Sequence, residues 1–270
     1  MTKNLEIFCV TNKNFKSLDK TGYKLAAVGK DKFSKKYLRC DSKDNIFFKE
    51  EYYSELTFHY WFWKNELDKN QYKNIWIGFC QKRRFWTKQK NKKFSYKNLI
   101  TNAPKKWENF NAVICEKISV DNPKLIKVFK RGWRNIIKDP GVIFQKKKHT
   151  IKLHFDMFHG HGNIDSAIKV MHKKDKREFK KFIYESKEFN PHIMFITKRK
   201  IMKLWFIDLF SWLSKCEKIF GFKKLDGYDT KRLYAYLAER YLSFWFRKYS
   251  NYVEWPYITL NSRDKFRRDG

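Results

Sequence analysis

Acid is what this chain has least of, relative to its opposite. Across 270 residues, 28 Asp and Glu stand against 61 Lys and Arg, for a formal net charge of +33. That balance selects an anionic partner or surface: nucleic acid, an anionic membrane face, or a phosphorylated small molecule. Codon bias is the competing source of the lysines, because Lys, Asn, Ile, Phe and Tyr are all abundant and share A/T-rich codons. Stretches such as residues 130–149, "RGWRNIIKDPGVIFQKKKH" after Lys130, read as solvated basic surface either way. Long hydrophobic runs are also missing. No window approaches 18 uncharged apolar residues, so the chain is not expected to span a bilayer. The opening "MTKNLEIFCVTNK" enters a strand-like run without an apolar leader, so no signal peptide is expected. The cysteines Cys9, Cys40, Cys80, Cys115 and Cys216 are odd in number, scattered and without a CxxC pair. They exclude a zinc ribbon and a disulfide framework and suit a reducing compartment, here the cytoplasm. Gly and Pro are sparse, and there is neither a low-complexity linker nor an internal repeat. One domain over residues 1–260, with a basic tail at 261–270, is the expected organisation.

Aromatic material is what the chain has in quantity. Ten Trp, 15 Tyr and 26 Phe within a 42% hydrophobic composition argue for a large core and against disorder. "LEIFCVT" (5–11) and "YKLAAVG" (23–29) are short apolar runs closed by polar residues or Gly, and read as strands. Tyr53, Leu56, Tyr60, Trp63 and Leu67 recur at spacings of three and four, which predicts a helix over 50–68. "NIWIGFC" (74–80) is apolar without interruption, as in a strand buried on both faces. "NAVICEKISV" (111–120) and "HIMFITK" (192–198) are further strands. Helices are predicted over 163–186, 199–221 (stopped at Gly221) and 230–250. Strands alternating with helices predict an α/β fold with a mostly parallel central sheet flanked by helices.

Ligands of such sheets bind beyond the carboxyl ends of the strands. "NIWIGFC" runs straight into Gln81, Lys82, Arg83 and Arg84. An arginine there can neutralise a diphosphate through paired hydrogen bonds; the alternative is ordinary surface charge.

Five ordered motifs add a resemblance: "YSELTFHYWFWKN", "IGFCQKRRFW", "FNPHIMFITKRKIM", "LFSWLSKCEKIFGF" and "RLYAYLAERYLSFWF". From about Val28 to Pro256 the chain resembles a bacterial glycosyltransferase family, first catalogued as a domain of unknown function. Members sit among capsule and O-antigen genes and include galactofuranosyltransferases. The family pattern reads YCELT-x2-YW-x-WKN, GLCHYRRYF, NPxNMFI, a WL segment and LAER. Against it, Gln81 and Lys82 replace His and Tyr, His192 replaces Asn, and Ser54 replaces Cys. Glu55, Arg83, Arg84, Asn190, Pro191 and Glu239 match.

The resemblance implies a GT-A-like nucleotide-diphospho-sugar transferase fold and a hexosyltransferase. Such an enzyme would use a nucleotide-sugar donor and a glycan or lipid-linked acceptor in surface-polysaccharide synthesis. Donor binding is expected at Gly29, Glu55, Arg83 and Arg84. Many GT-A enzymes hold a divalent metal on an Asp-x-Asp motif, and this chain has none. Guanidinium groups are expected to replace the metal, with no cofactor, although a lone carboxylate ligand from Asp41, Asp44 or Asp156 is the alternative. "HFDMFHGHGNID" (154–165) reads as a sugar-binding loop, with His154, His159 and His161 on the acceptor; a plain polar loop and a zinc or manganese site are the alternatives. Asn190 and His192 extend the acceptor set. Asp156 is a candidate general base. Glu239, on an aromatic-rich helix, is a second catalytic candidate, against a structural pair with Arg240 or Arg232. The tail (Arg263, Lys265, Arg267, Arg268) and the amphipathic 199–213 are expected to meet an anionic membrane peripherally at its cytoplasmic face, Trp205 and Phe206 being better suited to the core. A nucleic-acid-binding protein and an inactive family member are the rival readings; nucleic acid is not the expected partner.

Overall fold

Leu5–Thr11 (β1) and Trp76–Gln81 (β4) are buried at every residue. For β4 this is the burial on both faces that its unbroken apolar run predicts; β1, expected only as a strand, is buried throughout although it carries Glu6. The computed structural model describes residues 4–90, 93–121, 125–143 and 145–260. The basic tail 261–270 lies outside the described residues. The chain divides into two compact units. Among the described residues, the first takes those of 4–116, 192–207 and 245–260, the second those of 117–191 and 208–244.

The first unit is built on a sheet of nine described strands. Besides β1 and β4 these are Lys24–Ala27 (β2), Leu38–Arg39 (β3), Arg84–Trp86 (β5), Ala112–Cys115 (β6), Phe195–Lys198 (β9), Tyr252–Trp255 (β10) and Tyr257–Thr259 (β11). Ile118–Ser119 (β7) and Glu188–Phe189 (β8) form a separate ribbon in the second unit. The main path runs β10-β6-β9-β4-β1-β2-β3. Four of its neighbouring pairs are parallel, and β9 runs antiparallel to both β4 and β6. The mostly parallel sheet is therefore confirmed. β5 folds back on β4 and carries β11 on its other side.

Strand periodicity sorts the core into two faces. Ile7, Cys9 and Cys80 join a cluster with Leu25, Val113, Met194 and Ile196. Phe8 and Phe79 face the other way, toward the helix Leu56–Asn65 (α2). Phe8 lies 5.6 Å from Phe58 and 4.9 Å from Phe62, ring centre to ring centre. Trp205 and Phe206 are fully buried on this side against Phe195, as is Phe246. Each such aromatic contributes on the order of 1.5–3 kcal/mol by leaving water. Gly78 has a steric reason. A Cβ there would sit 2.5 Å from Cγ1 of Ile196, its partner across the β4–β9 ladder.

The second unit holds Leu125–Lys138 (α3), Ile151–His159 (α4), Asn163–Lys169 (α5), Lys173–Glu185 (α6) and Tyr228–Lys231 (α8). Two longer helices are split between the units, Arg199–Phe220 (α7) and Leu233–Tyr249 (α9). Phe179 packs edge-on against Trp212, Tyr241 and Phe244. Asp175, fully buried, accepts a 2.7 Å hydrogen bond from the Tyr241 hydroxyl.

Several predicted elements differ. The helix over 50–68 is two pieces, Glu50–Tyr53 (α1) and α2, because Ser54 takes φ 52°, ψ −128°. Its buried residues include Leu56, Phe58, Trp61 and Phe62, while Tyr60 and Trp63 are half-buried. A helix apolar nearly all round offers several plausible stripes, and the spacing selected one that is only partly inward. The stretch 111–120 is two strands, β6 and β7, in different sheets. The helix over 163–186 breaks between α5 and α6, and 230–250 between α8 and α9. The expected sugar-binding loop 154–165 is mostly helical. Ile151, Leu153, Phe155 and Met157 are buried along α4, and Gly160 and Gly162, at φ 96° and 78°, only mark the turn into α5.

Candidate functional site

β1, β2 and β4 end on one edge of the first unit, and the predicted donor residues gather there in part. β4 does not stop at Cys80. It continues to Gln81, turns, and returns as β5 from Arg84. The Gln81 amide nitrogen donates to the Glu55 carboxylate. Its carbonyl accepts from Arg84 Nη1 at 2.6 Å. Gln81 is buried, so this bridge is fixed on both sides. Arg84 Nε is buried without a hydrogen-bond partner among the described residues. Glu55 enters the cluster because the kink at Ser54 restarts the chain into α2 one residue later. Positive φ at a non-glycine residue is a strained conformation that concentrates at functional sites.

Arg83 is placed differently. Its guanidinium donates to the Leu260 carbonyl at 3.1 and 3.2 Å, and the Leu260 N–H returns a bond to the Arg83 carbonyl at 2.8 Å. It straps the segment after β11 to the hairpin. Lys82 donates to the side chain of Asn12, just past the end of β1. Gly29 follows β2 with φ 77°, and a Cβ there would lie 3.3 Å from the Glu50 carboxylate. His192, also at positive φ, sets its ring edge-on to Tyr257 at 5.2 Å.

The other candidates lie in the second unit. The Asp156 side chain is fully buried on α4. It accepts from Lys152 and from the Gly162 N–H at 3.1 Å, and lies 3.3 Å from His161 Nδ1. Burial pushes the His161 pKa down, and Lys138 adds to that, whereas Asp156 opposes both. Lys138 Nζ is 3.1 Å from His161 Nε2. Lys152 also reaches Asp165 at 3.1 Å, and Asp165 accepts from the Tyr184 hydroxyl at 2.7 Å. This chain of polar groups borders a cleft of about 500 Å³, which Asn135, Lys147, Lys148 and Asp139 also line.

Glu239 accepts from Arg240 Nη1, the structural pair that the sequence offered as an alternative. Arg240 is fully buried. It stacks 3.9 Å above the Phe189 ring, and its Nη2 lies 3.2 Å from His154 Nδ1. Burial lowers its pKa and Glu239 opposes the shift. His159 stacks on Tyr236 at 3.6 Å. Asn190 is locked to Ser243, donating from its backbone N–H at 3.0 Å and accepting at Oδ1 at 2.8 Å. His154 and Glu239 are thus brought together through Arg240, and Asp156 and His161 directly. Asn190 is bound elsewhere in the same unit, and His192 belongs to the other. Sequence reasoning passed over Arg240 as anything beyond a partner for Glu239. An arginine among Tyr, Leu and Phe on a helix was its available signal.

Among the described residues, no three His, Cys, Asp or Glu gather where they could hold a metal ion. Asp41 is bonded by Arg39 at 2.6 Å, and Asp44 accepts from the Tyr60 hydroxyl at 3.0 Å. The described part of the chain contains no helix long and apolar enough to cross a membrane.

No curated protein matches the chain. Among solved structures, the apo form of WbbM, a bifunctional glycosyltransferase, is similar at a TM-score of 0.57 and 16% identity. The similarity covers 96% of this chain and 45% of that one, so the chain spans less than half of that protein's length. At this identity the likeness is one of fold, and it agrees with an α/β, GT-A-like architecture. The family model described as "Domain of unknown function (DUF4422)" matches residues 6–251. With nearly the whole length matched, the chain belongs to the DUF4422 family.

Proposed function

We propose that the chain is a glycosyltransferase that moves a hexose, galactofuranose or a relative, from a nucleotide-diphosphate donor to a glycan or lipid-linked acceptor of a surface polysaccharide. The observation that carries this reading is the Glu55–Gln81–Arg84 bridge at the carboxyl edge of β1, β2 and β4. In open α/β sheets that edge is where ligands bind. Arg84 is held there by a neutral amide, and its side chain is only partly buried, so a face of the guanidinium stays open to an anion. A guanidinium so placed can neutralise the leaving diphosphate in the role a metal plays elsewhere. Arg83 supports the hairpin, and Gly29 leaves room for Glu50 beside the backbone. The fold shared with a glycosyltransferase and the strongly basic charge support the same reading.

For the acceptor, the reading favours the second unit, where His161 borders the cleft and His154 and His159 are ordered by Arg240 and Tyr236. Of the two carboxylates, Glu239 is the better base, because 16% of its side chain is exposed while that of Asp156 is sealed. Arg240 would position it. The rival nucleic-acid reading needs aromatic platforms on a basic face. Trp86, Trp107, Trp205, Trp212 and Trp245 are instead fully buried.

Calorimetry with nucleoside diphosphate tests the central claim. Each charge-assisted phosphate contact is worth roughly 1.5–3 kcal/mol, about tenfold or more in affinity. Arg84→Ala is expected to lose that much, and Arg83→Ala clearly less. Equal affinity in parent and Arg84→Ala would return Arg84 to a structural role. No binding by the parent to any nucleoside diphosphate would remove the glycosyltransferase reading.

A further inference from the structure

Helix α3, "LIKVFKRGWRNIIK", contains no acidic residue. Its described side chains separate by direction. Gly132 is buried, and Ile136 packs against Val142, Leu153 and Met157. Trp133 and Ile137 sit one turn apart on a shared side, 51% and 71% exposed. Lys130 and Arg134 come next around the helix, within about 60° of Ile137, and both are exposed. The Arg134 guanidinium lies 5.1 Å from the centre of the Trp133 ring. Past the helix, exposed Lys146 and Lys147 continue the positive surface, and Lys147 lines the same cleft as Lys138.

We propose that this side of α3 docks on an anionic phospholipid bilayer. Trp133 and Ile137 enter the boundary between headgroups and acyl chains, while Lys130, Arg134, Lys138 and Lys147 meet lipid phosphates. An apolar strip that, among the described side chains, has cations along one border and an indole at its edge is what an interfacial helix needs. Charge complementarity selects the bilayer over a protein partner. The other exposed apolar pair, Leu204 and Ile207 on α7, has Lys203 beside it already ion-paired with Asp68 at 2.8 Å. A single exposed indole beside an aliphatic side chain suits acyl chains better than stacked bases. The proposal rests on the proposed function only for its lipid-linked acceptor, and donor binding does not enter into it.

Co-sedimentation of the full chain with vesicles tests this, using phosphatidylcholine alone or mixed with phosphatidylglycerol, at low and high salt. The parent is expected to bind the anionic vesicles, to ignore the neutral ones, and to weaken as salt screens the charges. Trp133→Ser with Ile137→Ser should lower partitioning about tenfold or more, with its circular dichroism and nucleoside-diphosphate affinity unchanged. Leu204→Ser with Ile207→Ser, within the 199–213 stretch that the sequence offered for membrane contact and this proposal replaces with α3, should leave partitioning as it was. If the first pair disturbs folding, Lys130→Gln with Arg134→Gln substitutes for it, and its loss should vanish at high salt. The proposal is overturned by a parent that binds neither vesicle or both equally, or by α3 variants that bind like the parent. It is also overturned if single-stranded RNA, and not vesicles, is what the α3 variants lose. Vesicle binding without nucleoside-diphosphate binding would leave this proposal standing and remove the glycosyltransferase reading.

Discussion

His59 is completely buried on α2, and neither of its ring nitrogens has a hydrogen-bond partner among the described residues. Phe79 lies 4.1 Å away, Phe195 5.8 Å and Phe206 6.1 Å, ring centre to ring centre. Burial alone holds the imidazole pKa down to about 3, from 6.5. Unfolding returns it to its ordinary value, so between those pH values the unfolded chain binds the extra proton. Stability from this group is therefore intact above about pH 6.5 and falls as the pH drops toward 3. At pH 5 the loss is about 2 kcal/mol, and near pH 3 it is about 4 kcal/mol. Even neutral, two unsatisfied buried nitrogens are costly, at roughly 1–3 kcal/mol for each such group. A phenyl ring has no such nitrogens, although it is slightly larger and overpacking offsets part of the gain. His59→Phe should thus be more stable than the parent by about 1–2 kcal/mol at pH 8, and the gap should widen by about 2 kcal/mol at pH 5. Urea denaturation of both proteins at the two pH values measures it, and carboxylate titrations common to both cancel in the difference. A gap that does not change with pH would refute the reasoning, since it means that the imidazole has a polar partner, whereas a loss of stability at pH 8 alone would mean that overpacking outweighs the two unsatisfied nitrogens.

Gly78→Ala should destabilise the first unit by on the order of 1–3 kcal/mol, read as a lower melting temperature, because Cβ would lie 2.5 Å from the Ile196 side chain inside the central ladder. An unchanged melting temperature would mean that β9 yields at that point. If Arg84 neutralises the leaving diphosphate, donor turnover should persist in excess EDTA; complete loss, restored by manganese or magnesium, would identify a metal ligand among the carboxylates.

Much of the sheet was legible because its interior strands state their burial directly. The run within 74–80 is apolar on both faces, as in a strand covered on both sides, and 5–11 is apolar apart from Glu6 and the closing Thr11. Helix α7 was legible for a related reason: its apolar spacing ends at Gly221, whose φ of 56° makes it a natural stop. What failed were breaks inside aromatic stretches. The kink at Ser54 has no glycine or proline to announce it, and α2 is so uniformly apolar that periodicity could not choose its face. In 154–165 the polar residues drew attention to a loop, whereas Ile151, Phe155 and Met157 had already committed the backbone to a helix.

The arginine pair shows where local reading runs out. Side by side in sequence, Arg83 and Arg84 look equivalent, and the strand end makes both available to an anion. A β-hairpin removes that equivalence, because Arg83 lies in the turn while Arg84 opens the returning strand opposite Gln81. Arg83 turns to a carbonyl 177 residues away in sequence, a partner no local pattern announces. Arg84 turns to Gln81. Replacing a titratable side chain with an amide at position 81 looked like a loss of chemistry. In place, the amide offers a donor to Glu55 and an acceptor to Arg84 at once. It stands between a carboxylate and a guanidinium that could otherwise pair with each other and quench both charges. A neutral spacer of that kind leaves the Arg84 charge unquenched and the side chain oriented, which is what the proposed binding of a diphosphate at Arg84 would require.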